Sequence, residues 1–223
     1  MANASLSGPV VAPASGRRPR QLVVFLHGLG ADGEDLIALA PIFAELLPDA
    51  EFIAPNAPFP CDMAPYGRQW FSLQERTPNA ILAGLISTQP ILDAFLDEAL
   101  AKRHLTDQAL AVVGFSQGTM LALYTALRRP NPPKALVGYS GLLAAPDLLP
   151  TEMTARPPVL LVHGQADEVV PHEFLALAKD ALELMSVPVT MLSVPGLGHS
   201  IDDEGLLAGI RFVANQFGLL GTH

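Results

Sequence analysis

One junction restricts this chain more than any other. The run Ala109-Leu110-Ala111-Val112-Val113 is small and β-branched, the composition of a strand buried on both faces. It ends in Gly114-Phe115-Ser116-Gln117-Gly118, and a helical pattern follows at once through Thr119 and Met120. A G-x-S-x-G between a strand and a helix marks a sharp turn that lifts a serine clear of the top of a sheet. Glycines two residues either side let the strand and helix pass closely. A bare G-x-S-x-G is common and can be an ordinary glycine-bounded turn. The strand before it and the helix after it make Ser116 a candidate nucleophile.

The remainder of the chain supplies the sheet that such a junction needs. Leu22 to Leu26 is a continuous apolar run of strand length. Glu51 to Ala54, Lys134 to Ser140, Val159 to Gly164 and Val187 to Val194 read as further strands. Between them lie helical patterns. One starts at Glu34 and shows Leu36, Leu39, Ala40, Phe43, Leu46 and Leu47 on a single face, with Pro48 as its stop. Another covers Ala80 to His104 and is expected in two pieces, with Thr88 capping a second piece that begins at Pro90. Further helices are expected from the elbow to about Arg129, from Glu173 to Met185 and from Glu204 to Phe217. Strands alternating with helices imply right-handed crossovers and an α/β fold: a mostly parallel central sheet with helices on both faces. A length of 223 residues suits one domain, 1–223, with a core over about 8–217. The Pro-punctuated segment up to residue 20 is expected as a short edge hairpin.

Two stretches stand apart from that alternation. Residues 55–79 hold Pro55, Pro58, Pro60, Pro65 and Pro78 together with Phe59, Met63, Tyr66, Trp70 and Phe71. Residues 141–158 hold Leu142, Leu143, Leu148, Leu149 and Met153. Long irregular segments rich in apolar residues are commonly walls over a site, so both are read as site-flanking loops. Phe59, Met63, Trp70, Phe71, Leu142 and Leu143 become the candidate substrate-binding residues. The net charge of −9 disfavours nucleic acid and anionic membrane surfaces as partners. Cys61 is the single cysteine, so no internal disulfide forms, and it reads as a small packed apolar residue. The N-terminus lacks a signal-like apolar core and no run of about 18 apolar residues is evident, so a soluble, cytoplasmic protein without stable membrane insertion is expected.

A serine hydroxyl needs a neighbouring base, and the base needs a group that fixes its tautomer. On this kind of sheet the order is serine, acid, histidine, each just past a strand end. Asp167 follows the strand Val159–Gly164 and is the candidate acid, with Glu168 as the neighbouring fallback. Its competing reading is a turn or helix cap before Pro171. His199, in Pro195-Gly196-Leu197-Gly198-His199-Ser200, follows the last strand and is the candidate base. His163 precedes the acid, His172 opens a helix and His223 is terminal, so none of them fits. An oxyanion needs two backbone donors. Gln117, next to the serine, supplies one, and the glycine-flanked loop His27-Gly28-Leu29-Gly30 supplies the other through Leu29. His27 reads as a hydrogen-bonding residue of that loop. No His, Cys or Asp cluster has metal-ligand spacing.

Taken together, Leu26-His27-Gly28-Leu29-Gly30-Ala31-Asp32-Gly33-Glu34-Asp35-Leu36, the Ser116 elbow, His163-Gly164-Gln165-Ala166-Asp167-Glu168-Val169-Val170-Pro171 and Gly198-His199-Ser200-Ile201 resemble the phospholipase/carboxylesterase family. Trp70-Phe71 is similar to that family's aromatic segment after the second strand. The resemblance runs from about Gly8 to Phe217. It implies an α/β-hydrolase fold without a large cap domain and hydrolysis of carboxylic esters or thioesters with no cofactor. It matches Ser116, Asp167 and His199 to the family's triad, and Leu29 and Gln117 to its oxyanion donors. It also implies a homodimer as an association to test. Ser72 stands where thioesterase relatives often carry Asp, so a protein-depalmitoylating role is not transferred. The expected activity is a serine carboxylesterase acting on short- to medium-chain acyl esters. Lysophospholipids and acyl-thioesters are the alternative substrates, and a non-catalytic ligand-binding protein on the same fold is a remote one. A dienelactone hydrolase would usually place cysteine in the elbow, where this chain has Ser116.

Overall fold

The computed structural model describes residues 6–220. The chain runs β1 (Val10–Val11), β2 (Gln21–Leu26), α1 (Gly33–Ile37), α2 (Ala40–Ala44), β3 (Ala50–Ile53), β4 (Phe59–Pro60), β5 (Arg68–Gln69) and α3 (Pro78–Arg103). It continues through β6 (Leu110–Phe115), α4 (Gln117–Ala126), β7 (Ala135–Tyr139), α5 (Leu149–Glu152), β8 (Val159–Gly164), α6 (Glu173–Leu184), β9 (Val189–Val194) and α7 (Asp203–Gln216). The main sheet has the order β1-β3-β2-β6-β7-β8-β9. Strands β3 to β9 of that sheet pair in parallel, and β1 joins β3 antiparallel. The sheet is mostly parallel, as the alternation of strands and helices predicts.

Side chains alternate faces along each strand, and this divides the core in two. Leu22, Val24, Leu26, Leu110, Val112, Leu136 and Leu161 enter the core shared with α3, α4 and α6. Val23, Phe25, Ala111, Val113, Val137 and Val162 enter the core shared with α1, α2 and α7. Buried on both faces, β2 and β6 have no need of the apolar/polar alternation of a half-exposed strand, which is why they read as unbroken apolar runs. Helix α4 lies between the sheet and α3, and every one of its residues is buried.

Several expectations change. The single helix expected from Glu34 is two short ones, α1 and α2, because Pro41 sits in the first turn of α2 and cannot donate a bond back to Ile37. Conversely, the break expected at Pro90 does not occur, and α3 is continuous for 26 residues. Proline there costs the bond to the Ile86 carbonyl, but Pro90 and Ile86 are both exposed, so water can take its place. Thr88 is therefore not a cap. It is buried, and its hydroxyl lies 2.8 Å from the Trp70 carbonyl and 2.9 Å from that of Gly84. The cap of α3 is Thr77, whose hydroxyl oxygen accepts from Ala80 N–H at 3.3 Å. The opening segment gives only strand β1, Val10 lying opposite Ile53, in place of a hairpin, and residues 1–5 fall outside the described chain. Within 55–79, β4 and β5 form a two-stranded antiparallel hairpin.

Helix α3 is long and apolar enough to cross a membrane by length and composition alone, although Ser87, Thr88, Gln89 and Asp93 interrupt its apolar residues. In the fold its Leu85, Leu92, Leu96 and Leu100 enter the core, and its three carboxylates are paired, Glu98 with Lys102 one turn on and Asp93 and Asp97 with Arg129. Arg129, just beyond α4, holds Asp93 at 2.7 Å, Asp97 at 2.7 Å and Asp107 at 2.8 Å. The arginine side chain is 3% exposed. Burial pushes the Asp93 carboxyl above its usual value even though Arg129 favours its ionised form. Arg129→Ala strands these carboxylates, Asp93 and Asp107 most, and is expected to destabilise the protein by about 3 kcal/mol. A urea titration checks this, and an unchanged midpoint contradicts the role given to the cluster.

Candidate active site

The site forms where β2, β6, β8 and β9 end on the same edge of the sheet. At the end of β6 the chain turns on Ser116, whose backbone has φ 53° and ψ −116°. A non-glycine residue in that region carries strain of about 1–3 kcal/mol. The turn is possible because Gly118 has no side chain: a Cβ there would lie 1.9 Å from the Leu26 carbonyl oxygen. Helix α4 thus rests directly on the end of β2.

Ser116 Oγ is 3.0 Å from His199 Nε2, and His199 Nδ1 is 2.8 Å from Asp167 Oδ2. The carboxylate requires a proton on Nδ1, which leaves Nε2 free to accept from the serine hydroxyl. The Phe115 ring packs against the imidazole at a centroid distance of 4.9 Å. Asp167 divides its two oxygens. Oδ1 accepts from the N–H groups of Val169 and Val170, each at 2.9 Å, and Oδ2 faces His199. Asp167 thus holds its own turn and also faces the imidazole. Burial alone raises its pKa, but the bonds from His199, Val170 and Val169 outweigh this and hold it below the usual carboxylate value. Glu168 is exposed.

His163 also stands here, unforeseen from its sequence position: its Nε2–H donates to the Val170 carbonyl at 2.8 Å and lies 3.2 Å from Asp167 Oδ2. Burial lowers its pKa, so it rests neutral behind the carboxylate. His172 stands edge-on to it, 5.8 Å away.

The loop after β2 lies against the elbow. A Cβ on Gly28 would sit 3.3 Å from Ser116 Cβ. Neither the N–H of Leu29 nor that of Gln117 has an acceptor among the described residues. His27 does what its sequence position implies. Its Nε2 accepts from Ala57 N–H at 3.0 Å, which fixes the tautomer, and Nδ1–H then donates to the Gly28 carbonyl at 2.8 Å. Burial pulls its pKa below the ordinary value, so the ring stays neutral.

The candidate substrate-binding residues do not converge. Trp70 is fully buried, and its indole N–H donates to the His27 carbonyl at 2.8 Å, so it supports the loop from beneath and has no surface to offer a ligand. Phe59 and Phe71 line one open groove of about 630 Å³ between the hairpin and the start of α3. Met63 is exposed outside that lining. Leu143 is buried in the core, and Leu142 borders a separate void of about 10 Å³ beside Thr119 and His163. Reasoning from sequence also missed the side chain of Gln117. It is fully buried, accepts from Trp70 N–H at 2.9 Å and donates to the Phe71 carbonyl at 2.8 Å. Among the described residues, no group of His, Cys, Asp or Glu side chains could hold a metal ion.

A serine, an imidazole and a carboxylate in hydrogen-bonded line above a mostly parallel sheet, beside two unclaimed N–H groups, are the features of an α/β hydrolase. The phospholipase/carboxylesterase family profile matches residues 8–216, and the chain belongs to that family. It is a carboxylic ester hydrolase. The crystal structure of esterase PE8 matches with a TM-score of 0.91 at 42% identity, covering 95% of this chain and 99% of that one. Esterase YpfH of Escherichia coli (strain K12) is 28% identical over 187 residues, 84% of this chain and 79% of its own. Acyl-protein thioesterase 1 of Neurospora crassa is 26% identical, with 97% of this chain and 94% of the relative covered.

Proposed function

We propose that the protein is a serine esterase cleaving short- to medium-chain acyl esters through an acyl-enzyme, with Ser116, His199 and Asp167 as its triad. The observation that carries this is the unbroken line of bonds from Ser116 Oγ through His199 to Asp167 Oδ2, at 3.0 and 2.8 Å. His199 Nε2 takes the hydroxyl proton as Ser116 Oγ bonds to the acyl carbon. The carbonyl electron pair moves to oxygen, and the N–H groups of Leu29 and Gln117 receive the oxyanion. On collapse the carbon–oxygen bond to the alcohol breaks, and His199 returns its proton to the leaving oxygen. Water repeats the sequence on the acyl-enzyme, releasing the acid and restoring Ser116.

The acyl chain is assigned to the groove beside Phe71. Phe59, Phe71, Ala80, Ala83 and Gly84 give it apolar walls, while Ser72, Gln74 and Glu75 keep part of it polar. Phe71 connects to the elbow through its carbonyl, which Gln117 holds. A groove open to solvent and partly polar suits a chain of modest length better than a long lipid tail. The likeness to an acyl-protein thioesterase brings in a second substrate. The same steps cleave a thioester, with a thiol as leaving group.

Fluorophosphonate treatment followed by peptide mapping tests the nucleophile, and the adduct is expected on Ser116 alone. A nitrophenyl ester series from acetate to palmitate, with one thioester and one lysophospholipid, tests the substrate. Turnover is expected to peak between about four and eight carbons. No labelling at Ser116 overturns the mechanism, and a maximum at palmitate overturns the chain-length assignment.

A further inference from the structure

The two N–H groups assigned to the oxyanion belong to parts of the chain far apart in sequence. Leu29 hangs on the loop after β2, and Gln117 opens α4. The segment 68–71 passes between them and bonds to both. Toward the loop, Gly30 N–H donates to the Arg68 carbonyl, and Arg68 N–H donates to the Ala31 carbonyl, each at 2.9 Å. The Trp70 indole N–H reaches the His27 carbonyl at 2.8 Å. Toward the elbow, both contacts come from one side chain. The Gln117 amide accepts from Trp70 N–H at 2.9 Å and donates to the Phe71 carbonyl at 2.8 Å. Gln117 and Trp70 are both wholly buried, so water does not compete for these bonds.

We infer that the side-chain amide of Gln117 is a positioning residue: through Trp70 it sets the distance between the Leu29 and Gln117 N–H groups. Its side-chain role is separate from its backbone role, because a substitution removes the amide and leaves the N–H in place. The inference rests on the serine-esterase reading above. An oxyanion exists only in the tetrahedral state, so a mis-set spacing weakens that state and leaves ester binding alone. A filler role predicts the reverse pattern, with stability altered and the two affinities moving together.

The test compares the parent protein with Gln117→Met, which keeps the length and loses both bonds. Trp70→Phe, which loses the indole N–H bond to His27 and part of the buried ring but keeps the backbone bond to Gln117, provides the second variant. For each, the melting midpoint, kcat and KM on a nitrophenyl ester are measured. So is the inhibition constant of a trifluoromethyl ketone with the same chain. Ser116 Oγ adds to that ketone's carbonyl carbon, its proton passes to His199, and the oxygen becomes the oxyanion. Gln117→Met is expected to fold cooperatively, lose about 10- to 100-fold in kcat and keep KM within about twofold. It is also expected to bind the ketone more weakly by the same factor as its loss in kcat/KM, and Trp70→Phe is expected to move in the same direction. A folded Gln117→Met with unchanged ketone affinity, or with KM and ketone affinity weakened in parallel, overturns the inference. If Gln117→Met does not fold, the comparison on Trp70→Phe decides by the same criteria. If the parent protein is not inhibited by the ketone at all, the failure is of the serine mechanism and not of the spacing.

Discussion

Ser116→Ala is expected to lower kcat by about 10⁶-fold, which in practice abolishes turnover. In the proposed mechanism the hydroxyl oxygen is the bond-forming atom, and the histidine and carboxylate have no purpose without it. Folding should be nearly unaffected. The hydroxyl's hydrogen-bond partner is His199, at 3.0 Å, and alanine meets the same backbone strain at φ 53°. The melting temperature should therefore stay within a few degrees of the parent, and the fluorophosphonate adduct should disappear. Pure Ser116→Ala protein that retains a hundredth of the parent rate would remove Ser116 from the mechanism.

Asp167→Asn is expected to cost about 10⁴-fold in kcat while the fold survives. The carbonyl oxygen of asparagine can still accept from Val169 and Val170, which bond Oδ1 at 2.9 Å in the parent. The amide nitrogen then occupies the Oδ2 position and presents hydrogens to His199 Nδ1. The imidazole answers by moving its proton to Nε2, and it can no longer accept from Ser116. Geometry is preserved and the tautomer is wrong. Asp167→Ala is different, because it also frees the turn at 167–170 and should lower the melting temperature. Asp167→Asn within tenfold of the parent would mean that another group orients His199, although the neighbouring Glu168 is exposed.

The elements of this site were not equally legible in the sequence. The elbow was, because its signature is local: a strand, a turn and a helix within twelve residues. Asp167 and His199 were legible through chain order and strand ends, and Leu29 through the glycines of its loop. Side-chain partnerships across the sheet edge were not. Gln117 and Trp70 are 47 residues apart, and nothing in the spacing of either shows that they meet. Trp70 looked like a wall of the site because an aromatic residue in a proline-rich stretch gives no sign of which way it faces. His163 lies next to the end of β8, and its contact with Asp167 follows from how the next four residues turn back. The helix boundaries erred in both directions over proline. Pro41 breaks a helix inside an unbroken apolar stripe, which hides it. Pro90 has a breaker's signature but breaks nothing, because its lost bond lies on the exposed side of α3.

Trp70 is the chain's single tryptophan, and it lies fully buried between the loop after β2 and the elbow. The protein therefore carries a built-in optical probe at the spot where those two segments are joined. Its emission is expected to be blue-shifted while residues 68–71 remain docked and to move to the red when they come away. Heat, denaturant or a bound inhibitor can thus be followed at this joint by intrinsic fluorescence, in parallel with circular dichroism of the whole molecule. A gap between the two signals would time the loosening of the joint against the melting of the fold.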